Sequence, residues 1–246
     1  MLIHPTLENL KNLKLFGMAK GLESQLQTPE LNILPFEDRL GLLVDQEVNI
    51  RETARLAARL RHAKLRQQAC LEDLDLKATR GLDRSLVSSL ADSQWVKLHR
   101  NILITGKTGV GKSYFGCALA QKACRDGYSA VYHRVGRVFE ELLVAKASGA
   151  YTRYLNSLLK RDVLVLDDFA LIPLNQDQRR DLLEILEDRY DRKSTVVISQ
   201  IPHDEWYLSI GDATFADAIL DRLVHNAYKV SLTGPSRRKN KEGEQE

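Results

Sequence analysis

The strongest constraint on this 246-residue chain is the segment 102–113, which reads Ile-Leu-Ile-Thr-Gly-Lys-Thr-Gly-Val-Gly-Lys-Ser. The leading apolar residues predict a buried strand, and the residues after the segment have helical spacing. Gly106 and Gly111 fit the pattern G-x-x-x-x-G-K-S/T, a loop whose backbone N–H groups surround phosphate oxygens. In that pattern Lys112 reaches the β- and γ-phosphates, and the hydroxyl of Ser113 is a ligand of Mg²⁺. A glycine-rich turn without a ligand is the alternative, and the flanking strand and helix argue against it.

We predict that the ligand of this loop is ATP with Mg²⁺. A guanine-specific enzyme would also need Asn-Lys-x-Asp, and the chain has Asn-Lys-Glu-Gly at 240–243 instead. The predicted nucleotide contacts are the loop residues and the first residues of the helix. They are Gly106, Lys107, Thr108, Gly109, Val110, Gly111, Lys112, Ser113 and Tyr114.

Composition restricts the class of protein. The chain is 43% hydrophobic and 28% charged, with a net charge of +3, as in globular proteins with a sizeable core. Its apolar runs are far shorter than the roughly 20 residues of a membrane span, and its first residues lack the apolar core of a signal peptide. Three cysteines do not suggest a disulfide framework, and Cys117 and Cys124 are predicted core residues. We expect a cytoplasmic protein without a membrane partner.

The order of the patterns predicts two folded regions. From residue 99, short apolar segments alternate with helical patterns, which predicts a parallel sheet with helices between its strands. Residues before 99 have helical spacing throughout. We therefore predict an N-terminal helical DNA-binding domain at 1–68, a linker with a helix at 69–98, an α/β domain at 99–239 and a disordered tail at 240–246.

The N-terminal region contains a long helical pattern that begins at Phe36 and runs to residue 66. Its second half is basic, with Glu52 as its single acid. Arginines three or four residues apart fall on one face of a helix, where a row of cations can follow a phosphate backbone. This predicted stripe consists of Arg51, Arg55, Arg59, His62 and Arg66, and its four arginines are the predicted DNA contacts. A solvated helix face is the alternative, and the shortage of acidic partners favours nucleic acid.

Further polar residues are predicted at strand ends. The apolar segment Val163–Leu166 delivers Asp167 and Asp168 at its carboxyl end. Some fifty residues after a phosphate-binding loop, Asp167 is placed to hold Mg²⁺ through water, opposite Ser113, and Asp168 to orient the attacking water. Ser199 ends another predicted strand. If that strand lies between the other two, its tip points at the γ-phosphate; a simple strand cap is the alternative.

These motifs, in this order, resemble the IstB family, the ATP-binding helper proteins of insertion-sequence transposition. That family is closely similar to DnaC-type helicase loaders within the AAA+ class. The resemblance covers about residues 8–239 and is carried by separate segments along the chain. They are Leu15–Ala19, Arg80–Arg84, Gly106–Ser113, Val163–Asp168, Ser199–Pro202, Ile219–Ala227 and Gly234–Lys239.

The resemblance implies an AAA+ ATPase with a parallel five-stranded sheet flanked by helices, preceded by a small all-α domain. It implies a homo-oligomer, ring or spiral, that assembles on duplex DNA and delivers this target to a cognate transposase. By motif, Ser199 or Gln200 becomes sensor 1, Arg222 an arginine finger for a neighbouring subunit, and Arg238 the sensor 2 arginine, with Arg237 as its alternative. By spacing alone, Arg222 would form a surface salt bridge.

Two residues depart from the family pattern. Lys107 stands where the family commonly has Pro, and Asp168 is shorter than the Glu of most AAA+ proteins. With Asp168, the predicted catalytic residues are Lys112, Ser199, Arg222 and Arg238, and the predicted metal ligands are Ser113 and Asp167. The shorter acid predicts that hydrolysis is slow.

A second basic region lies between the second and third predicted strands. We predict DNA contacts there from Arg134, Arg137, Lys146 and Arg153, with scattered surface charge as the alternative. Aromatic residues do not interleave with these cations, which favours tracking of duplex phosphates, largely without sequence specificity, over stacking on single strands. Two other functions stay open. One is a DnaC-type helicase loader on single-stranded DNA, and the other is a nucleotide-gated DNA-binding scaffold that does not hydrolyse ATP.

Overall fold

A computed structural model describes residues 3–76 and 81–236 of the chain. The chain forms two compact units, which divide between Ala58 and Arg59. Within the described residues the first unit is helical, and the second combines a sheet with helices. The division falls ten residues before the predicted boundary at 68.

The first unit consists of helix α1 (Ile3–Asn12), helix α2 (Phe16–Gln27), a 3₁₀ turn (Pro29–Ile33) and the larger part of helix α3 (Phe36–Ala63). The buried carboxylate of Glu47 joins α2 to α3. It accepts hydrogen bonds from the backbone N–H groups of Gly17 (2.6 Å) and Met18 (3.1 Å) and from the side chain of Arg51. The bond from Arg51 and the two backbone donors hold the pKa of Glu47 below its usual range. Glu47 thereby satisfies N–H groups that the first turn of α2 cannot pair internally.

Gly17→Ala is expected to destabilise the first unit by about 1–3 kcal/mol. A Cβ at residue 17 would lie 2.5 Å from the Cα of Glu47, so backbone would have to move. Gly41 in α3 is the matched control, because a Cβ there meets nothing within 4 Å. Gly41→Ala is expected to stabilise by up to about 1 kcal/mol. Thermal unfolding followed by circular dichroism measures both changes, and equal unfolding temperatures would contradict the close α2–α3 packing.

The second unit contains the end of α3 and the remaining elements. In chain order they are α4 (Arg84–Ala91), α5 (Gln94–Lys97), β1 (Asn101–Gly106), α6 (Lys112–Arg125), β2 (Ala130–Arg134), α7 (Val135–Ala147), α8 (Tyr151–Leu159), β3 (Val163–Phe169), α9 (Gln176–Arg189), β4 (Ser194–Ser199), a 3₁₀ turn (His203–Glu205), α10 (Trp206–Ile210), α11 (Ala213–Val224) and β5 (Ala227–Leu232).

The strands form a five-stranded parallel sheet in the order β2-β3-β4-β1-β5, which confirms the predicted fold class. Its strands are apolar and largely buried, as expected of parallel strands covered by helices. β4 lies between β1 and β3, pairing Ile198 with Ile104 on one side and Val196 with Val165 on the other. The carboxyl ends of these three strands therefore meet at one edge, where ligands of such sheets bind.

The segment that follows α3 packs within the second unit. The prediction that this helix runs to residue 66 is wrong, because it ends at Ala63 and Lys64 has the left-handed φ of 48°. Arg59 donates a hydrogen bond to the carbonyl oxygen of Cys124 (2.8 Å) in the last turn of α6. Ala63, Ala69 and Leu71 are buried. These contacts explain why the second unit begins at residue 59.

Two further predictions concern the core and membranes. Cys117 and Cys124 are buried in α6, as predicted, and burial raises the pKa of both thiols. Within residues 3–76 and 81–236, no helix is both long and apolar enough to cross a membrane.

Candidate nucleotide-binding site

The loop between β1 and α6 has a backbone that only glycine tolerates at several points. Gly106, Gly109 and Gly111 have φ values of 140°, 88° and 100°. A Cβ at Gly106 would overlap the carbonyl oxygen of Leu232 in β5, and one at Gly109 would overlap the side chain of Ser236. Gly111 has open space around it, so it is the left-handed conformation that favours glycine there. The loop thus passes close against β5 and ends as the N-cap of α6.

Lys112 is the first residue of α6 and is only 7% exposed. Its ammonium group donates a hydrogen bond to the carbonyl oxygen of Lys107 (2.9 Å), across the loop. Ser113 follows Lys112 in the first turn of α6, and the helix dipole favours an anion at this end of the helix. The side chain of Lys107 is exposed, so this residue contributes its carbonyl group to the loop.

A cavity of about 520 Å³ opens at this loop. Residues from four parts of the second unit line it: the loop with the start of α6, the ends of β3 and β4, residue Leu232, and the segment that follows α3. A volume of this order suits a small-molecule ligand. The parallel sheet brings the predicted loop and the predicted acids to one cavity.

Asp167 lies at the end of β3 and is 2% exposed. One carboxylate oxygen accepts a hydrogen bond from the N–H of Asp168 (2.8 Å), and the other accepts one from the hydroxyl of Tyr132. The guanidinium of Arg66 lies 3.5 Å from that second oxygen. A register shift between Leu166 and Phe169 and the left-handed φ of 60° at Asp168 mark a bulge at this point. Such bulges redirect side chains at a strand end.

Tyr132 and Arg66 are site residues that the sequence did not reveal as such. Burial and the neighbouring carboxylate of Asp167 raise the pKa of the Tyr132 hydroxyl, so it remains a neutral donor. The hydrogen bond with Tyr132 and the charge of Asp167 raise the pKa of the Arg66 guanidinium. Tyr132 pairs with Val165 across the β2–β3 ladder, two residues before Asp167. Only this strand register could have indicated the contact.

Asp168 also lies beside an arginine. Its carboxylate is 3.7 Å from the guanidinium of Arg134 at the end of β2. The side chain of Asp168 is partly exposed, unlike that of Asp167. Arg134, predicted to contact DNA, therefore lies beside a residue of this cavity without lining the cavity itself.

The end of β4 carries two polar residues with different contacts. The hydroxyl of Ser199 is fully buried, donates to the carbonyl oxygen of Phe169 (2.7 Å) and accepts from the N–H of Ile201 (3.1 Å). Gln200 instead accepts a hydrogen bond from the Thr108 hydroxyl of the loop. Of the two predicted sensor residues, Gln200 is the one whose side chain contacts the loop.

Arg222 lies at the amino ends of the sheet strands, whereas the loop lies at their carboxyl ends. The carbonyl oxygen of Arg222 accepts a hydrogen bond (2.9 Å) from the side chain of Asn101, which begins β1, whereas the loop follows the end of β1. Six strand residues span about 17 Å, more than a side chain can cover. The guanidinium of Arg222 pairs with Glu187 on α9 and lies 3.7 Å from Asp221. It therefore does not belong to the nucleotide site of its own chain.

The basic residues predicted to contact DNA do not form the stripe that was expected. The prediction of one continuous stripe over 51–66 is wrong, because α3 ends at Ala63 and Arg66 turns to Asp167. Several of the others bind acids or carbonyl groups of their own unit. Arg51 pairs with Glu47, Arg59 with the Cys124 carbonyl, Arg137 with Glu140 and Glu141, and Lys146 with Asp181. Arg55 and Arg153 are exposed. Arg238 and its alternative Arg237 lie outside the described residues.

The donor set suits Mg²⁺ with a nucleotide. Magnesium prefers oxygen ligands and takes few of them from the protein when phosphates supply others. Ser113 and the buried Asp167 line one cavity and provide a hydroxyl and a carboxylate. Within the described residues no cluster of three or more His, Cys, Asp or Glu forms a self-sufficient metal site.

A model of the family described as IstB-like ATP binding protein matches residues 8–245 of the chain. The chain belongs to this family. Another protein named for insertion sequences and ATP binding, y4pL of Sinorhizobium fredii, is 49% identical to this IstB-like chain over 240 residues, which cover 98% of each. The insertion sequence IS21 ATP-binding protein of Pseudomonas aeruginosa is 30% identical over 93% of this chain and 86% of its own.

Solved structures share the fold of a large part of this IstB-like chain. A crystal structure of DnaI has a TM-score of 0.58 at 24% identity, covering 70% of this chain and 91% of its own. The DnaC helicase loader has a TM-score of 0.53 at 19% identity, covering 67% and 97%. At these identities the likeness shows the AAA+ P-loop fold alone. ATP binding follows from the family.

Proposed function

We propose that this IstB-like protein is an ATPase that assembles on duplex target DNA and assists a cognate transposase. The observation that carries the proposal is the position of Arg222 on the sheet edge opposite its own loop, where a second copy of the chain can bring its nucleotide. Arginines of this kind complete the site of a neighbouring subunit. The names of the relatives, which refer to insertion sequences, support the role in transposition.

In the proposed reaction a water oxygen attacks the γ-phosphorus of ATP, the bond to the bridging oxygen of the β-phosphate breaks, and ADP and phosphate leave. Lys112 neutralises charge on the β- and γ-phosphates, and Ser113 and Asp167 would hold Mg²⁺. Asp168 orients the water, and Arg222 of the next subunit stabilises the charge that develops on the γ-phosphate. Gln200, through Thr108, is the proposed sensor of that phosphate. Arg238 keeps its predicted role as sensor 2.

The proposed DNA contacts are the exposed arginines in each unit. Arg55 and Arg153 are exposed, and we assign phosphate contacts to them. Arg137, which pairs with Glu140 and Glu141 within α7, contributes less because those acids already neutralise it. Contacts of this type position the protein on DNA without reading its sequence.

The combined variant Arg55→Ala/Arg153→Ala is expected to bind duplex DNA about tenfold more weakly at low salt. Each lost phosphate contact is expected to reduce the slope of log affinity against log salt by about 0.9. Fluorescence anisotropy of a labelled duplex, titrated at several salt concentrations with ATP present, measures both quantities. Arg137→Gln is the control, with an expected change below about threefold.

The same assay separates the proposed function from a helicase loader. We expect at least tenfold tighter binding to duplex than to single strands of equal length, and tighter binding with ATP than with ADP. Preference for single strands would favour the loader. If duplex affinity and assembly size are the same with ATP, with ADP and without nucleotide, the proposed coupling between ATP binding and DNA binding would be contradicted.

A further inference from the structure

Asp167, the carboxylate that we propose to hold Mg²⁺, already has a cation of the protein beside it. The guanidinium of Arg66 lies 3.5 Å from the outer oxygen of Asp167, which also accepts the hydrogen bond from Tyr132. The other oxygen accepts from the N–H of Asp168. Both oxygens of this buried side chain therefore have partners from the chain itself.

Contacts with α6 hold the segment that carries Arg66. It lies three residues beyond α3, in a segment whose Ala69 and Leu71 are buried. The N–H of Cys70 donates to the hydroxyl of Tyr114, the residue after Ser113 (3.4 Å). The segment with Arg66 is thus attached to the first turn of the helix that follows the phosphate-binding loop.

Electrostatics make the two cations alternatives. A carboxylate that is 2% exposed is costly unless a cation compensates its charge. Arg66 supplies that charge from the protein, and Mg²⁺ would supply it with the nucleotide. A guanidinium and a divalent ion that share one carboxylate would repel each other. Bound Mg²⁺ and the Arg66–Asp167 contact would therefore compete for this side chain.

We propose that Arg66 is a positioning residue that neutralises Asp167 until Mg²⁺ arrives with the nucleotide, and that Mg²⁺ displaces it. This inference rests on the proposed magnesium role of Asp167. The displaced guanidinium would leave Asp167, whereas Ala69 and Leu71 would stay buried. Nucleotide binding would then change the contacts of Arg66, three residues beyond the end of α3.

The test is a magnesium titration of Arg66→Gln. A fluorescent ADP analogue is held at a fixed, subsaturating concentration, and Mg²⁺ is varied while anisotropy reports the bound fraction. The half-saturating Mg²⁺ concentration is expected to fall about threefold to tenfold, because the competing cation is gone. Arg61→Gln is the matched control, since it removes the same charge from an exposed residue five positions earlier and is expected to change nothing.

One more variant and a stability measurement make the result decisive. Arg66→Lys keeps the charge and is expected to stay within about twofold of the wild-type magnesium requirement. Thermal unfolding checks that each variant folds, and Mg·ADP is expected to raise the unfolding temperature of Arg66→Gln more than that of the wild-type chain. An unchanged or higher magnesium requirement in folded Arg66→Gln would overturn the proposal, as would an equal fall in Arg61→Gln.

Asp167→Asn distinguishes this inference from the function on which it rests. It is expected to raise the half-saturating Mg²⁺ concentration above the wild-type value, and adding Arg66→Gln to it is expected to change nothing more. If Asp167→Asn kept the wild-type magnesium requirement, the metal role of Asp167 would fail. If that requirement rose while Arg66→Gln alone behaved as wild type, only the displacement of Arg66 would fail.

Discussion

Arg222→Ala is expected to lower ATP turnover about a thousandfold while nucleotide affinity stays within about twofold of the wild-type value. The loss is large because an arginine finger stabilises charge that exists only in the transition state. Affinity is kept because Arg222 lies at the amino edge of the sheet, beside Asn101 and Glu187, and does not contact the loop of its own chain. Steady-state phosphate release on duplex DNA and binding of a fluorescent ADP analogue measure the two quantities.

A mixing experiment tests whether the finger acts on a neighbour. Arg222→Ala chains keep the nucleotide site, and Lys112→Ala chains keep the finger, so each is expected to be inactive alone. In an equal mixture about a quarter of the interfaces join an intact site to an intact finger, if each subunit meets the next head to tail. Turnover is then expected to return to about a quarter of the wild-type rate. A mixture as inactive as its components would contradict action between subunits, and retained turnover in Arg222→Ala alone would remove the finger role.

Lys112→Ala is expected to reduce turnover at least a thousandfold and to weaken nucleotide binding about a hundredfold. The buried ammonium group of Lys112 is held over the loop by the carbonyl of Lys107, where the β- and γ-phosphates of the ligand belong. Its removal takes a fixed positive charge from a site with little water to replace it. Phosphate release and anisotropy of the ADP analogue report the two losses.

Lys107→Ala is the matched control for Lys112→Ala. The two lysines lie in one loop, but the side chain of Lys107 is exposed and only its carbonyl group takes part in the loop. Turnover of Lys107→Ala is therefore expected to stay within about threefold of the wild-type rate. Equal losses in both variants would show that general positive charge at the loop, and not the position of Lys112, determines activity.

Local sequence signals predicted the sheet and the loop well. Each strand is a short apolar run next to a turn, and the loop needs glycines at fixed positions, so both patterns are contained in a few neighbouring residues. The placement of Asp167 near the loop followed from the rule that parallel strands end at one edge. The prediction for Ser199 requires β4 to lie between β1 and β3, and β4 does lie there.

Contacts between distant residues could not be predicted in the same way. The stripe of arginines assumed that the helical period continues to Arg66, but Lys64 adopts a left-handed conformation that nothing in its residue type requires. Because the helix ends before Arg66, the side chain of Arg66 lies beside the buried carboxylate of Asp167, which is 101 positions later in the chain. Ser199 and Gln200 are adjacent and polar, so the sequence does not show which of them contacts the loop. In the structure the Ser199 hydroxyl donates to the carbonyl oxygen of Phe169 at the bulge, which leaves Gln200 for the loop.

The pair between Arg222 and Glu187 has a consequence for the chain before it assembles. Arg222 is 27% exposed and Glu187 55%, so their attraction is weak and screened by salt. If Arg222 acts on a neighbouring subunit as proposed, a solitary chain would keep it on Glu187 and would have no arginine from a second copy at its nucleotide. Such a chain would hold ATP without hydrolysing it. The protein would therefore arrive at DNA still loaded, and the nucleotide would act as a timer that starts only when copies meet.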